Sequence, residues 1–312
     1  KKGVHQSIED FKWMLDDISK RPTRIAEIVP LLPSALGFHD ASGAGAGGVW
    51  FPSHTIGSRM KNKNTLHPLL WRYKWPQDIV DNLVTEDNPS GTITNSDLEL
   101  AGGLLHLDVI AHCLDVRERT IVSKTDNLAT LFWERKGSAT NAAVTHQLLR
   151  LFGIHQRFHR YVPRHDYISG PSNPLADDSS RLFHLSNREL LTHFNSKFKQ
   201  KYTFKIVHPT QKLISGVISA LRNKRFERES LLAGPPPLTH TGKNGLSSQV
   251  SWAKIPYSKP SRTKYRIYKS SSTEYDTDSM QPTRIQYALD QLKITYGALD
   301  RRTSNWVNRT QG

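Results

Sequence analysis

The stretch ALGFHDASGAGAGGVWF, residues 35–51, decides how the fold begins. Leu36, Phe38 and Asp40 alternate with other residues, which predicts a strand that places these three side chains on one face. A glycine-rich turn follows, and the apolar residues after it predict a second strand that returns beside the first as a hairpin. A carboxylate on an apolar strand face is unfavourable unless something compensates its charge. Asp40 is therefore either a turn residue before Ala-Ser-Gly or part of a charged site.

The rest of the chain continues with strands and helices in an order typical of an α/β protein. The predicted strands cover residues 35–40, 47–52, 67–75, 119–125 and 157–163. The predicted helices cover residues 4–20, 127–136, 140–152, 186–197 and 209–226, with another from Asn95 or Ser96 to Leu114. Up to residue 185 the order is β-β-β-α-β-α-α-β-α, with the hairpin first and α/β alternation later. This order predicts a mixed five-stranded sheet with helices packed on it.

Changes in composition divide the chain into four segments. We expect an N-terminal helix and connector over residues 1–32, a main α/β domain over 33–185, a helical extension over 186–232, and a basic tail over 233–312. The tail is rich in Ser, Thr and Pro, which predicts that it is mostly disordered.

The charge balance points to a polyanionic partner. Lys and Arg number 43 against 28 Asp and Glu, which gives a net charge of +15. A surplus of this size favours nucleic acid over an acidic membrane surface, because no hydrophobic anchor accompanies it. The chain has one cysteine, Cys113, so no disulfide partner is expected within it and a cysteine-based zinc site is excluded. These features predict an intracellular protein, cytoplasmic or nuclear, with no membrane partner.

Three further stretches place a carboxylate at a position comparable to that of Asp40. TNSDLELAGG (94–103) puts Glu99 in the first turns of a long core helix, where an acidic residue also favours the helix N-terminus. SKTDNLAT (123–130) puts Asp126 between a strand and a helix, where an N-cap is the simple explanation. ISGPSNPLADDSSR (168–181) puts Asp177 and Asp178 after a loop, where a helix cap is again possible.

Taken together and in this order, the four stretches resemble the ribonuclease H family. In that family the first strand ends in D-x-S, a helix carries E-L-x-A, the fourth strand ends in T-D-N or T-D-S, and a last helix carries A-D. The matching residues here are Asp40, Glu99, Asp126 and Asp177. The last stretch resembles the retroelement pattern I-P-G-x-x-N-x-x-A-D-x-x-S-R, which selects Asp177 rather than Asp178. The wider context resembles the polyprotein of DIRS-like, tyrosine-recombinase retrotransposons, so we expect a fragment of a longer chain whose polymerase part is missing.

This resemblance implies a ribonuclease H-like fold over residues 33–185 and a catalytic site at the four acids. Two Mg²⁺ ions, with Mn²⁺ as a substitute, would be held by Asp40, Glu99, Asp126 and Asp177, and Asp40 would bridge both. Such a pair of ions about 3.5–4 Å apart assists hydrolysis of a phosphodiester. The implied substrate is the RNA strand of an RNA–DNA hybrid, and the implied neighbour is a reverse transcriptase domain. The alternative is a decayed copy that binds nucleic acid without cutting it. Nucleases and transposases of the same fold class that place a Glu last fit less well, because the Glu here is second.

A basic aromatic stretch, GIHQRFHRYVPRH (153–165), gives further candidates. Its arginines, Arg157, Arg160 and Arg164, could contact a nucleic-acid backbone, or they could be charges on a solvated strand edge. His155 and His159 have the i, i+4 spacing of helical metal ligands, but the sequence indicates no third ligand nearby.

Overall fold

The computed structural model describes residues 2–20, 33–52, 67–139 and 143–232. Its strands are β1 (Ala35–Ala41), β2 (Gly45–Pro52), β3 (Leu69–Lys74), β4 (Thr120–Thr125), β5 (Val162–Tyr167) and β6 (Lys205–Ile206). Its helices are α1 (Lys2–Lys20), α2 (Gln77–Val80), α3 (Asn95–Cys113), α4 (Leu128–Lys136), α5 (Ala143–His159), α6 (Pro174–Arg181), α7 (Asn187–Lys197), α8 (Gln211–Leu221) and α9 (Arg228–Leu232).

The strands form one mixed sheet in the order β5-β4-β1-β2-β3-β6. β2 pairs antiparallel with β1 and β3, whereas β4 pairs parallel with β1 and β5. The predicted α/β class with a mixed sheet is confirmed, but the predicted number of strands was wrong. β6 adds a sixth strand of two residues beside Leu69 and Leu70 of β3, and two residues are too few to show an alternating pattern in the sequence.

Helices cover both faces of this sheet. Successive strand residues point to opposite faces, and Gly47 and Gly48 of β2 show which helix covers each face. A Cβ atom on Gly47 would lie 2.5 Å from the backbone of Ser179 in α6, whereas one on Gly48 would lie 3.0 Å from His106 Nδ1 in α3. Asp40 pairs with Gly47 across the β1–β2 hairpin and therefore lies on the α6 face.

The α3 helix is enclosed by its surroundings. Every residue from Asp97 to Ala111 is buried, because the sheet covers one side of the helix and α5 and α8 cover the other. A Cβ on Gly102 would lie 3.1 Å from Ala46 Cβ, and one on Gly103 would lie 2.5 Å from Glu134 Oε1. The first glycine therefore lets the helix approach the sheet closely, and the second leaves room for a carboxylate from α4.

The opposite face has its own apolar cluster and a polar anchor. The cluster contains Val49, Leu70, Leu190, Phe194 and Phe204. Beside it, the Arg72 guanidinium donates to the carbonyl oxygens of Leu182 and Leu185, both at 2.7 Å, and to Asn187 Oδ1 at 2.9 Å. These three bonds fix the segment between α6 and α7 against strand β3.

The start of α3 differs from the prediction of an Asn95 or Ser96 cap. Thr94 is the N-cap residue: its hydroxyl accepts from the Asp97 backbone N–H at 3.2 Å. The Asp97 carboxylate in turn accepts from the Thr94 backbone N–H at 3.0 Å, which completes a capping box.

The predicted strand over residues 157–163 was wrong in its first half. α5 continues to His159, since Leu151 and His155 extend its buried helical face. Arg160 then adopts a left-handed conformation with φ of 57°, which ends the helix, and β5 begins at Val162.

The α1 helix belongs to a different compact unit from residues 33–232. Within this helix Lys12 pairs with Glu9 at 2.8 Å and Lys20 pairs with Asp16 at 2.7 Å. The predicted connector over residues 21–32 and the predicted disordered tail over residues 233–312 lie outside the described residues. None of the helices in the described ranges combines the length and apolar composition needed to cross a bilayer.

Candidate metal centre

The turn after β1 is completed by Ser42 and not by Asp40. The Ser42 hydroxyl oxygen accepts from the backbone N–H of Ala44 at 3.2 Å, and the Ser42 backbone N–H donates to the Gly45 carbonyl at 2.8 Å. Asp40 is therefore not needed to form the turn, although it is almost completely buried.

The same division of roles recurs at the other two acids. Asp97 forms the capping box of α3, which leaves Glu99 free of that role. Asn127, and not Asp126, is the N-cap of α4: its side-chain oxygen accepts from the Thr130 backbone N–H at 3.0 Å. At each of these three positions, a neighbouring residue performs the local structural function that could have explained the acid.

Asp40, Glu99 and Asp126 converge at one end of the sheet. Asp40 lies in β1, Glu99 is in the second turn of α3, and Asp126 directly follows β4, which pairs with β1. Each offers a carboxylate oxygen, and these atoms all lie within 4.8 Å of one another. Glu99 Oε2 also accepts from the backbone N–H of Ala41 at 3.2 Å, which ties the helix to the end of β1.

The electrostatics of this group disfavour full ionisation. Burial raises the pKa of Glu99 well above its usual range, and the charges of Asp40 and Asp126 raise it further. Burial and the charge of Asp40 also raise the pKa of Asp126. The three carboxylates therefore repel one another, and a bound cation would relieve that repulsion.

Ser180 and Asn173 support β1 from the α6 side. The Ser180 hydroxyl donates to Asp40 Oδ2 at 2.5 Å, and the Asn173 side-chain NH₂ donates to the carbonyl of His39 at 3.3 Å. Sequence reasoning assigned neither residue a role. Both occupy specified positions of the retroelement pattern that selected Asp177, and this was the signal that could have identified them.

Asp177 lies on α6 but outside the group of three carboxylates. Its side chain is 49% exposed and pairs with Arg181 one turn later in the same helix. The charge of Asp177 is nevertheless close enough to contribute to the raised pKa of Asp126. Asp178 faces elsewhere, because its carboxylate accepts from Lys197 Nζ at 2.8 Å and lies 2.8 Å from His193 Nε2.

The three arginines predicted to contact nucleic acid have different environments. Arg157 is half-buried in the last turn of α5, and Arg164 is half-buried in β5, where its Nε donates to Asp166 at 3.3 Å. Arg160 is buried and pairs with Glu118, so it does not contribute to a basic surface. His165 is also buried, with Nδ1 2.8 Å from Glu134 Oε2.

The donor set can be judged by its chemistry. Carboxylate oxygens are hard ligands, which Mg²⁺ and Mn²⁺ prefer. Among the residues that the structure describes, this group consists of three carboxylates, with no nitrogen or sulfur donor. Asp40, Glu99 and Asp126 therefore fit a divalent cation that binds through oxygen.

Comparison of the chain with known proteins found no match. No family model matches it, and no curated protein or solved structure matches it. The fold and the geometry of the site therefore carry the functional argument.

Proposed function

We propose that this chain is a Mg²⁺-dependent endonuclease that hydrolyses the RNA strand of RNA–DNA hybrids. The observation that carries the proposal is the convergence of Asp40, Glu99 and Asp126 from three separate parts of the chain. At each position, a neighbouring residue performs the local turn or capping role. The sheet order, with an antiparallel β1–β2–β3 unit continued by parallel β4 and β5, supports a ribonuclease H-like assignment of the fold.

In this proposal Asp40, Glu99 and Asp126 hold the metal, with Asp177 contributing from α6. When bound, Mg²⁺ or Mn²⁺ would lower the pKa of a coordinated water molecule and stabilise the leaving oxyanion, and two ions can share these tasks. The Ser180 hydroxyl fixes the orientation of the Asp40 carboxylate. The Ala41 N–H does the same for Glu99, so that two of the acids are oriented before the ion binds.

The biological setting is proposed from the ordered motifs and the charge. A net charge of +15 favours binding to a polyanion. The motifs support a retroelement polyprotein in which a reverse transcriptase domain makes the hybrid that this domain degrades, in the cytoplasm or the nucleus. Phosphate contacts of this kind provide affinity without sequence specificity.

A second candidate is a nucleic-acid-binding module that has lost catalysis. The observation that favours it is the pairing of Asp177 with Arg181, which neutralises the fourth acid and keeps it out of the carboxylate group. Under this alternative, the chain binds hybrid but does not cut it.

One assay on the full chain separates these possibilities. The chain, Asp126→Asn and the surface control Asp87→Asn are each incubated with labelled hybrid and Mg²⁺, and binding is measured in parallel. We expect Asp126→Asn to cut at least about 100-fold more slowly, because loss of even a supporting residue at a metal site costs about 10–100-fold. The Asp87→Asn variant should match the parent chain.

The other outcomes are equally informative. Equal cleavage by the parent chain and Asp126→Asn would remove the proposed site. Tight binding with no cleavage by the parent chain would favour the lapsed module. Cleavage of duplex DNA in place of hybrid would favour a transposase-like nuclease.

A further inference from the structure

A second group of potential ligands lies between α3 and α5, away from the acids described above. Asp108 of α3 and His155 and His159 of α5 each offer one ligand atom, and these atoms all lie within 4.8 Å of one another. The two histidines are one turn apart, so both side chains lie on the same side of their helix. We propose that Asp108, His155 and His159 form a Zn²⁺ site.

His155 has the hydrogen-bonding pattern of an oriented metal ligand. Its Nδ1 lies 2.8 Å from the hydroxyl of Tyr161, and its Nε2 lies 3.2 Å from Asp108 Oδ1. When Nδ1–H donates to Tyr161, the Nε2 lone pair faces the carboxylate, and a cation between the two atoms satisfies both. Ligands about 2.0–2.1 Å from a tetrahedral zinc ion lie about 3.3 Å apart, which agrees with this separation. A second-sphere acceptor on the other ring nitrogen is a common feature of zinc-binding histidines.

Asp108 is a buried carboxylate with a rigid setting. Its Oδ2 accepts from the Thr210 backbone N–H at 2.6 Å, and its Oδ1 accepts from the Thr210 hydroxyl at 3.2 Å. Thr210 is also the N-cap of α8, so the carboxylate is fixed to the start of that helix. A buried carboxylate is stabilised by a paired charge or a metal, and Thr210 supplies no charge.

His159 adds an independent observation. Its Nδ1 is buried and lacks a hydrogen-bond partner within the described part of the chain, although most buried polar atoms have one. An imidazole nitrogen that carries no proton has a lone pair available to a metal ion. Neutral imidazole is the form that binds metals.

The donor set selects the metal. Two imidazoles and one carboxylate suit Zn²⁺ better than Mg²⁺, which prefers oxygen ligands alone. Three protein ligands leave the fourth zinc position to water. The ion would connect α3, which carries Glu99, to α5 and to the start of α8, and so stabilise the helical layer behind the acidic group.

The test measures Zn²⁺ binding by the full chain after treatment with chelator, in excess Mg²⁺ to occupy the acidic group. The parent chain should bind one Zn²⁺ and gain thermal stability with it. His159→Gln should bind at least about 100-fold more weakly and lose the gain. His146→Gln is the matched control, because His146 lies on the same helix and is exposed, and Asp126→Asn shows that the acidic group is not involved.

Two results would overturn the proposal. One is the absence of Zn²⁺ binding by the parent chain, which would mean that Nε2–H of His155 simply donates to Asp108. The other is equal Zn²⁺ affinity in the parent chain and His159→Gln. Circular dichroism of His159→Gln without metal provides the check that this variant is folded.

Discussion

The hydroxyl of Ser180 donates to Asp40 Oδ2 at 2.5 Å, although the two residues are 140 positions apart in the chain. This bond connects α6 to the end of the first strand. It takes one of the four lone-pair directions of the Asp40 carboxylate. The orientation of the Asp40 carboxylate therefore depends on α6, a helix that is distant from β1 in the sequence.

Removing that hydroxyl should weaken the site without removing a proposed ligand. We expect Ser180→Ala to lower metal affinity or cleavage of hybrid by about 10–100-fold, as is usual for a supporting residue at a metal site. Ser179→Ala is the control, because Ser179 is equally buried in α6 but its hydroxyl donates to the Ala176 carbonyl. A titration of cleavage rate against Mg²⁺ measures the effect, and equal curves for the two variants would contradict the expectation.

Asp177 and Asp178 should differ in their contribution to catalysis. We expect Asp177→Asn to require more Mg²⁺ for half-maximal cleavage, because the charge of Asp177 acts on Asp126. We expect Asp178→Asn to cut normally and to lose some stability, since its carboxylate contacts Lys197 and His193. The comparison uses cleavage rates over a range of Mg²⁺ concentrations together with melting temperatures. A larger catalytic loss in Asp178→Asn would show that the wrong acid was assigned.

The pH dependence of stability should report the charge repulsion at Glu99. Because burial and the neighbouring acids raise the pKa of Glu99 in the folded chain, the protonated form stabilises the fold. That contribution is complete below the usual Glu pKa of about 4.3 and is lost as the pH rises through the raised value. In chelator at neutral pH, we expect Glu99→Gln to melt about 2–4 °C higher than the parent chain, which corresponds to about 1 kcal/mol in a domain of this size.

Two conditions control this experiment. Below pH 4 the two chains should melt at similar temperatures, because Glu99 is then protonated in both states. With Mg²⁺ the parent chain should gain stability that the variant does not, since a ligand stabilises the state that binds it. A lower melting temperature for Glu99→Gln in chelator at neutral pH would be inconsistent with repulsion among the acids.

Gly47 should tolerate no side chain. A Cβ there would lie 2.5 Å from the backbone of Ser179, and backbone cannot move aside as a flexible side chain can. We expect Gly47→Ala to destabilise the fold by about 1–3 kcal/mol, the usual range for overpacking, and to reduce cleavage because α6 is displaced. Gly43→Ala is the control, because Gly43 lies in the same hairpin and a Cβ there would meet Leu83 at an ordinary contact distance of 3.5 Å. Denaturant unfolding of both variants measures the difference, and equal stabilities would refute the argument.

Much of the fold could be predicted because strong local patterns marked it. The alternation in β1, the glycine-rich turn and the apolar run of β2 located the hairpin within a few residues. The end of α5 was missed because Arg160 takes a left-handed conformation that residue type does not favour. The short strand β6 forms because it pairs with β3, and pairing with a distant strand cannot be predicted from the local sequence.

The acids of the candidate site could be named from ordered motifs, but their relationships could not. The acids are free to bind a ligand because Ser42 completes the turn after β1, and Asp97 and Asn127 cap the two helices. The motifs do not indicate which residue takes each of these structural roles. The pairing of Asp177 with Arg181 depends on rotamers in α6. Asp108, the third member of the proposed zinc site, is 47 residues from His155, so spacing alone could not associate them.

The enclosure of α3 has a consequence for how this protein can be dissected. Its outer side is covered partly by α8, which lies beyond residue 185, and Asp108 in α3 caps the start of α8 through Thr210. A shortened chain that ends at residue 185 would therefore expose apolar side chains of α3 and α5 and leave a buried carboxylate without its donors. Such a fragment should aggregate on expression, and an inactive preparation of it would say nothing about whether the intact chain is an enzyme.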